Sequence, residues 1–149
     1  MNNINDQYIL EKVKELYTSF PSGTIKQSKS PDFIVKGSRN VGIEVTQIFH
    51  NNFNSNIFKS SIIPDKTTTQ NHKEGAIPNL KAEHLQLVLD KKEKAKKDYK
   101  ECDEYWLLIQ EGSFYDDSFE DIEITKPPHT SFDKVLLYRQ SENLIVQLK

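Results

Sequence analysis

"SPDFIVKGSRNVGIEVTQIF", Ser30–Phe49, decides the reading of this chain. Pro31 precedes a β-forming run, "FIVK", and proline is tolerated at the first residue of a strand. "GSRN" is a turn cluster. "VGIEVTQIF" is a second β-rich run. The two runs form a hairpin with Asp32 at the start of one strand and Glu44 inside the other. Strand alternation puts Ile43, Val45 and Gln47 on one face and Glu44, Thr46 and Ile48 on the other. Taken singly, Asp32 reads as a turn residue and Glu44 as a solvated strand residue. Together they read differently. Glutamate is disfavoured between β-branched neighbours, and two unpaired carboxylates facing each other repel. A divalent cation is a natural third party.

Upstream, "NDQYILEKVKELYTSF" (residues 5–20) has helical spacing in Ile9, Leu10, Val13, Leu16, Tyr17 and Phe20. Asn5 or Asp6 can cap it, and "PSG" ends it. "GTIKQ" is a short strand. Downstream, residues 50–77 are rich in Asn, Ser and Thr and show no period. A connection of that length reads as a binding loop, a lid or disorder. A long helix follows from Asn79 to about Glu101, then a buried strand, "EYWLLIQ". After an acidic loop come "DIEIT", the turn pair "KPP" and a terminal antiparallel hairpin, "KVLLY" and "LIVQL". The order is helix, three strands, helix, strand, then a β extension over about 122–149 on a core of about 5–111. It predicts one α/β domain over residues 1–149, with a central mixed sheet flanked by helices.

That order, αβββαβ with "PD" opening the second strand and "GIEVT" in the third, resembles the PD-(D/E)XK nuclease superfamily, the restriction-endonuclease-like fold. The resemblance implies a metal-dependent nuclease hydrolysing phosphodiester bonds of nucleic acid, DNA foremost. Asp32 and Glu44 would be ligands of Mg²⁺ or Mn²⁺, with the Val45 carbonyl as a third oxygen. A hard cation of this kind takes oxygen ligands, activates water and offsets phosphate charge. The family pattern ends its third motif in lysine, and here Thr46 stands in that place. Some members supply the lysine from the following helix. On that helix Leu85, Val88, Leu89, Ala95 and Tyr99 form an apolar face, and Lys92 falls in its middle with Lys96 beside it, whereas Lys91, Lys94 and Lys97 lie away. A lysine on an apolar stripe can snorkel to water. At the centre of a helix packed on a sheet it needs a partner, and Asp32 and Glu44 would be that partner. The expected catalytic set is therefore Asp32, Glu44 and Lys92, with Thr46 auxiliary.

Other candidates are weaker. Glu11 and Glu15 lie on the first helix, where the family often adds an acid, but both project opposite its apolar face. His72 and His84 lack a partner at zinc-type spacing, and Trp106 reads as core. Net charge over 149 residues is −2, so no overall basic field announces nucleic acid. Charge is uneven: seven lysines lie between Lys81 and Lys100, and nine acids with no Lys or Arg between Glu101 and Glu123. Alternative functions are an inactive nuclease-fold binding or structural module, and a small immunity-type domain whose acidic segment 101–123 binds a basic protein partner. The single cysteine, Cys102, excludes an internal disulfide. No apolar run is long enough to span a membrane and no signal peptide is visible, so a cytoplasmic location is expected. The free edge of the terminal hairpin can pair with a second subunit as a homodimer.

Overall fold

The computed structural model describes residues 4–48, 79–112, 119 and 121–149. The predicted loop of residues 50–77, and His72 with it, lies outside them. Helix α1 spans Ile4–Leu16. Strands β1 (Thr24–Gln27), β2 (Phe33–Lys36) and β3 (Asn40–Ile48) follow. Then come the two-residue β4 (Leu80–Lys81), helix α2 (Ala82–Lys96), β5 (Glu104–Glu111), the short β6 (Ile122–Glu123), β7 (Lys134–Arg139) and β8 (Leu144–Gln147). The main sheet has six strands in the order β1-β2-β3-β5-β7-β8. Strands β1, β2 and β3 pair antiparallel, β5 runs parallel to both β3 and β7, and β8 closes antiparallel on β7. The class is α/β with a mixed central sheet and two helices, as the pattern of elements predicts.

Each face of the sheet carries one helix. Ile9, Leu10 and Val13 of α1 pack on Phe33, Val35, Ile43, Val45, Trp106, Leu108, Leu136 and Tyr138. Leu85 and Leu89 of α2 pack on Ile48, Leu107, Ile109, Val135 and Leu137. The alternation read along β3 therefore holds, with Ile43 and Val45 on the α1 face and Glu44 and Ile48 on the α2 face. Strand β5 is apolar on both faces, with Trp106 and Leu108 on one and Leu107 and Ile109 on the other, as a central parallel strand must be when helices cover both sides. Trp106 is core, and the rings of Tyr17 and Phe20 meet it edge-on at 5.9 and 6.2 Å. The terminal hairpin is no separate appendage: its Leu136 and Tyr138 lie in the same core as Trp106.

Three boundaries differ from the sequence reading. Helix α1 stops at Leu16, before "PSG"; Tyr17 and Phe20 leave it and turn onto Trp106. Helix α2 starts at Ala82 rather than Asn79 because Leu80 and Lys81 instead pair in parallel with Ile122 and Glu123. It ends at Lys96 rather than near Glu101. There the backbone N–H groups of Asp98 and Tyr99 bond three residues back, to Ala95 and Lys96, and tighten the turn. The N–H of Lys100 then leaves the helix for the carbonyl of Ser30, at 2.9 Å. "DIEIT" supplies only the two residues of β6. No helix among the described residues is long and apolar enough to cross a membrane.

Candidate active site

The site begins with a mismatch in strand length. β2 pairs with β3 only as far as Phe33 opposite Ile43, while β3 runs on to Ile48. The edge of β3 beyond Ile43 therefore loses its backbone partner on that side. Asp32, the residue before β2, replaces it: the Val45 N–H donates to Asp32 Oδ2 at 2.9 Å. In return the Asp32 N–H donates to Glu44 Oε1 at 3.2 Å. The two carboxylates are thus held side by side by main-chain bonds. A residue in a strand turns its N–H and C=O toward the same neighbour, so the Val45 carbonyl faces the edge that Asp32 occupies. Gly42, two residues before Glu44 on the same face, makes room for the approach. A Cβ there would come within 2.9 Å of the Tyr105 ring and 3.0 Å of Pro31 Cγ.

Helix α2 brings the cation. Lys92 follows Leu85 and Leu89 on the stripe that faces the sheet, and its Nζ donates to Glu44 Oε2 at 2.9 Å. The pair is largely withdrawn from water, with side-chain exposures of 24% for Lys92 and 11% for Glu44. Lys91, Lys94 and Lys97 are exposed. The projection that singled out Lys92 is therefore what the structure has. Lys96, its neighbour on the stripe, goes elsewhere: its Nζ binds Ser131 and lies 5.0 Å from the ring centroids of both Tyr105 and Phe132.

The electrostatics are those of crowded carboxylates. Burial, the Glu44 charge and the Asp6 charge push the Asp32 carboxyl up from the ordinary 3.8 to about 6, against the lowering effect of the Val45 N–H and of Lys92. Thr46, half-buried, lies on the face of Glu44 two residues on; the carboxylate pair and Lys92 are tied to one another without it. Glu11 and Glu15 are exposed, as their projection implies. His84 is a helix-end residue: its Nδ1 accepts the Lys81 N–H at 3.0 Å, its ring stacks on Phe119, and burial lowers its basicity.

Two residues near the pair escape the sequence reading. Asp6, read there as a cap, is the first-helix acid whose charge acts on Asp32. The signal was available, because Asp6 precedes Ile9, Leu10 and Val13 by three, four and seven positions, which places it on the buried stripe. Tyr99, read as core, lies in the turn after α2. Burial, then the charges of Glu44 and Asp32, push its phenol well above the usual range. Its signal was the seven-residue step from Lys92 along the same face.

Of the acidic run 101–123, the described Asp103, Glu104 and Glu111 make separate internal contacts. Asp103 accepts the Asn40 N–H at 2.7 Å, and Glu104 pairs with Arg39 and accepts the Trp106 indole N–H. Glu111 is fully buried, bonded to Arg139 Nε at 3.0 Å and to the Phe119 N–H at 2.6 Å. No protein-family model, curated protein or solved structure matches the chain.

Proposed function

We propose that the protein is a metal-dependent nuclease that hydrolyses phosphodiester bonds of nucleic acid, DNA foremost, on a core of the PD-(D/E)XK type. The observation that carries this reading is the convergence of three elements: Lys92 of α2 bonded at 2.9 Å to Glu44 of β3, which in turn accepts the N–H of Asp32 at the head of β2. The element order and the antiparallel β1-β2-β3 unit followed by a parallel β5 support the same core.

The donor set suits a hard divalent cation. Asp32 and Glu44 offer carboxylate oxygens, and the Val45 carbonyl faces the same edge. Among the described residues no group of three or more His, Cys, Asp or Glu side chains is set to hold a metal. Magnesium, however, keeps several waters and is commonly held by one or two carboxylates. A carboxyl pushed up to about 6 by burial and by neighbouring acids is one at which a cation readily replaces a proton. When bound, Mg²⁺ or Mn²⁺ lowers the pKa of a coordinated water and offsets charge on the phosphate.

The chain's own residues do the rest. Asp32 and Glu44 fix the polar end of the site through main-chain bonds that leave little freedom. Lys92 supplies a positive charge beside the reacting phosphate and a donor that orients the attacking water, the role of the motif lysine that Thr46 cannot fill. The Thr46 hydroxyl can hold a second water on the same face. Lys91, Lys94 and Lys97 present a basic surface to the phosphate backbone, where binding is salt-dependent and indifferent to sequence. Cleavage of supercoiled plasmid and of single-stranded oligonucleotides in Mg²⁺ and Mn²⁺, by the parent and by Glu44→Gln, tests the proposal. The parent cuts and Glu44→Gln does not.

A second reading is a binding module on the same core. The Lys92–Glu44 pair favours it, because the ammonium already balances the Glu44 charge with no need of a metal ion. Nucleic-acid binding that is independent of metal, with no cleavage by the parent, is its signature.

A further inference from the structure

Helix α2 carries Lys92 past its own apolar anchors. Leu85 and Leu89 are its buried side chains, and both precede Lys92. From Leu89 the helix runs on for two more turns, roughly 10 Å. A polar clamp secures those turns. Glu93 gives both carboxylate oxygens to the segment that leads into β7. Its Oε1 accepts the Ser131 hydroxyl at 2.6 Å, and its Oε2 accepts the Ser131 N–H at 2.7 Å and the Thr130 hydroxyl. Lys96 Nζ adds bonds to the Ser131 carbonyl and hydroxyl at 3.0 and 2.9 Å. The segment is a firm support. Phe132 is fully buried, and the Asp133 N–H donates to the Tyr105 carbonyl at 2.8 Å. Lys149 Nζ donates to the carbonyls of Thr130 and Phe132 at 2.8 and 2.7 Å.

We propose that Glu93 is the positioning residue of Lys92: by fastening the last turns of α2 to residues 130 and 131, it sets where the Lys92 ammonium stands against Glu44. This rests on the reading of Lys92 as the group that serves the attacking water. The two side chains are neighbours in sequence and point about 100° apart around the helix. Lys92 reaches Glu44 on β3, and Glu93 reaches the approach to β7, with β5 between those strands. Attachments on both sides of β5 resist a roll of the helix about its axis. A roll of about 20° carries a side-chain tip roughly 6 Å from the axis through about 2 Å, enough to part Lys92 from Glu44. A misplacement of about 1 Å can cost on the order of a hundredfold in rate. Glu93 does not itself touch the reacting atoms.

Lysine labelling tests this without catalysis. The folded protein is treated briefly with an acylating reagent, without metal, and mass spectrometry gives the rate at each lysine. Lys94 is the internal reference, because it also adjoins Glu93 and feels the same change of charge. In the parent, Lys92 is half-buried and ion-paired and reacts more slowly than the exposed Lys94. Glu93→Ala raises the ratio of Lys92 to Lys94 by about fivefold, the effect of one net hydrogen bond on a local opening. Thr130→Val with Ser131→Ala, which strips the clamp from the other side, raises it as well, and adding Glu93→Ala to that pair adds little. Ile145→Ala, on the edge strand β8, lowers stability and leaves the ratio unchanged. An unchanged ratio in Glu93→Ala, additive rises in the combined variant, or an equal rise in Ile145→Ala overturns the proposal. If Glu93→Ala does not fold, the Thr130 and Ser131 pair decides in its place. Plasmid cleavage is scored separately. Where the parent cuts, Glu93→Ala lowers kcat by about tenfold with KM unchanged, and an unchanged kcat also overturns the proposal. A parent that cuts nothing removes the hydrolytic reading and leaves the positioning of Lys92 as the labelling measures it.

Discussion

Asp32→Asn removes a carboxylate that the fold holds under electrostatic strain, so it should stabilise the protein while abolishing function. The sign follows from linkage. The folded pKa, about 6, lies above the ordinary 3.8. The stability that the carboxyl contributes by holding its proton is fully present below about 4. It is lost as pH rises through about 6, where the folded state must accept a charge that burial, Glu44 and Asp6 disfavour. The interval from 3.8 to about 6 corresponds to a ceiling of about 3 kcal/mol. Asp32 is only partly buried, so solvent screening brings the expected cost to about 1–2 kcal/mol. Asparagine is nearly isosteric with the protonated acid, and its amide oxygen can still accept the Val45 N–H. The variant should therefore match the parent near pH 4 and melt roughly 2–8 °C higher at pH 8. Thermal unfolding followed by circular dichroism at both pH values, without metal, is the assay. Other titrating groups are common to both proteins and cancel in the comparison. If the difference in melting temperature is the same at both pH values, or if the variant is the less stable at pH 8, the reasoning about Asp32 is wrong.

Mn²⁺ affinity, measured by calorimetric titration, should fall steeply as pH drops through about 6, because Asp32 must lose its proton to bind; Glu44→Gln should show no binding at any pH, and equal, negligible affinity in parent and variant would remove the metal site. Arg139→Met leaves the fully buried Glu111 without its ion-pair partner and should cost about 3–5 kcal/mol in urea unfolding, most of it recovered by adding Glu111→Gln. Gly42→Ala pushes a methyl against Pro31 and the Tyr105 ring; it should destabilise by about 1–3 kcal/mol, with the neighbouring Asp32 amide showing the largest shift change in an NMR correlation spectrum.

How much was legible depended on whether the signal was local. The period-2 pattern of "VGIEVTQIF" fixed which face of β3 carries Glu44, because alternation survives any choice of neighbours. The stripe on α2 fixed Lys92 for the same reason: a helical projection depends on spacing alone. Element ends were less legible because tertiary bonds set them. Leu80 and Lys81 join a strand pair with Ile122 and Glu123, a contact across more than forty residues. The Lys100 N–H bonds Ser30 instead of extending the helix. Spacing could not show the internal partners of the acidic run: Asp103, just before β5, and Glu104 and Glu111 within it bond Asn40, Arg39 and Arg139. Asp6 was visible on the right stripe, yet a polar residue near a helix start is read first as a cap. Tyr99 was hidden by its own ring, which is core, while its phenol feels the charges of Glu44 and Asp32.

The central claim is that Lys92 stands in for the lysine absent at Thr46. Plasmid nicking in Mn²⁺ by the parent, Lys92→Met, Lys91→Met and Lys94→Met, over a range of salt, tests it most directly. The account predicts that Lys92→Met stays folded but loses some stability, because Glu44 is left without its ion-pair partner at a site that keeps more contact with water than the fully buried Glu111. Its cleavage rate should fall by about 10²–10³, as when one preorganised group is lost from a transition state. Lys91→Met and Lys94→Met should only weaken binding and flatten its salt dependence. A Lys92→Met protein that cuts as fast as the parent would contradict the account.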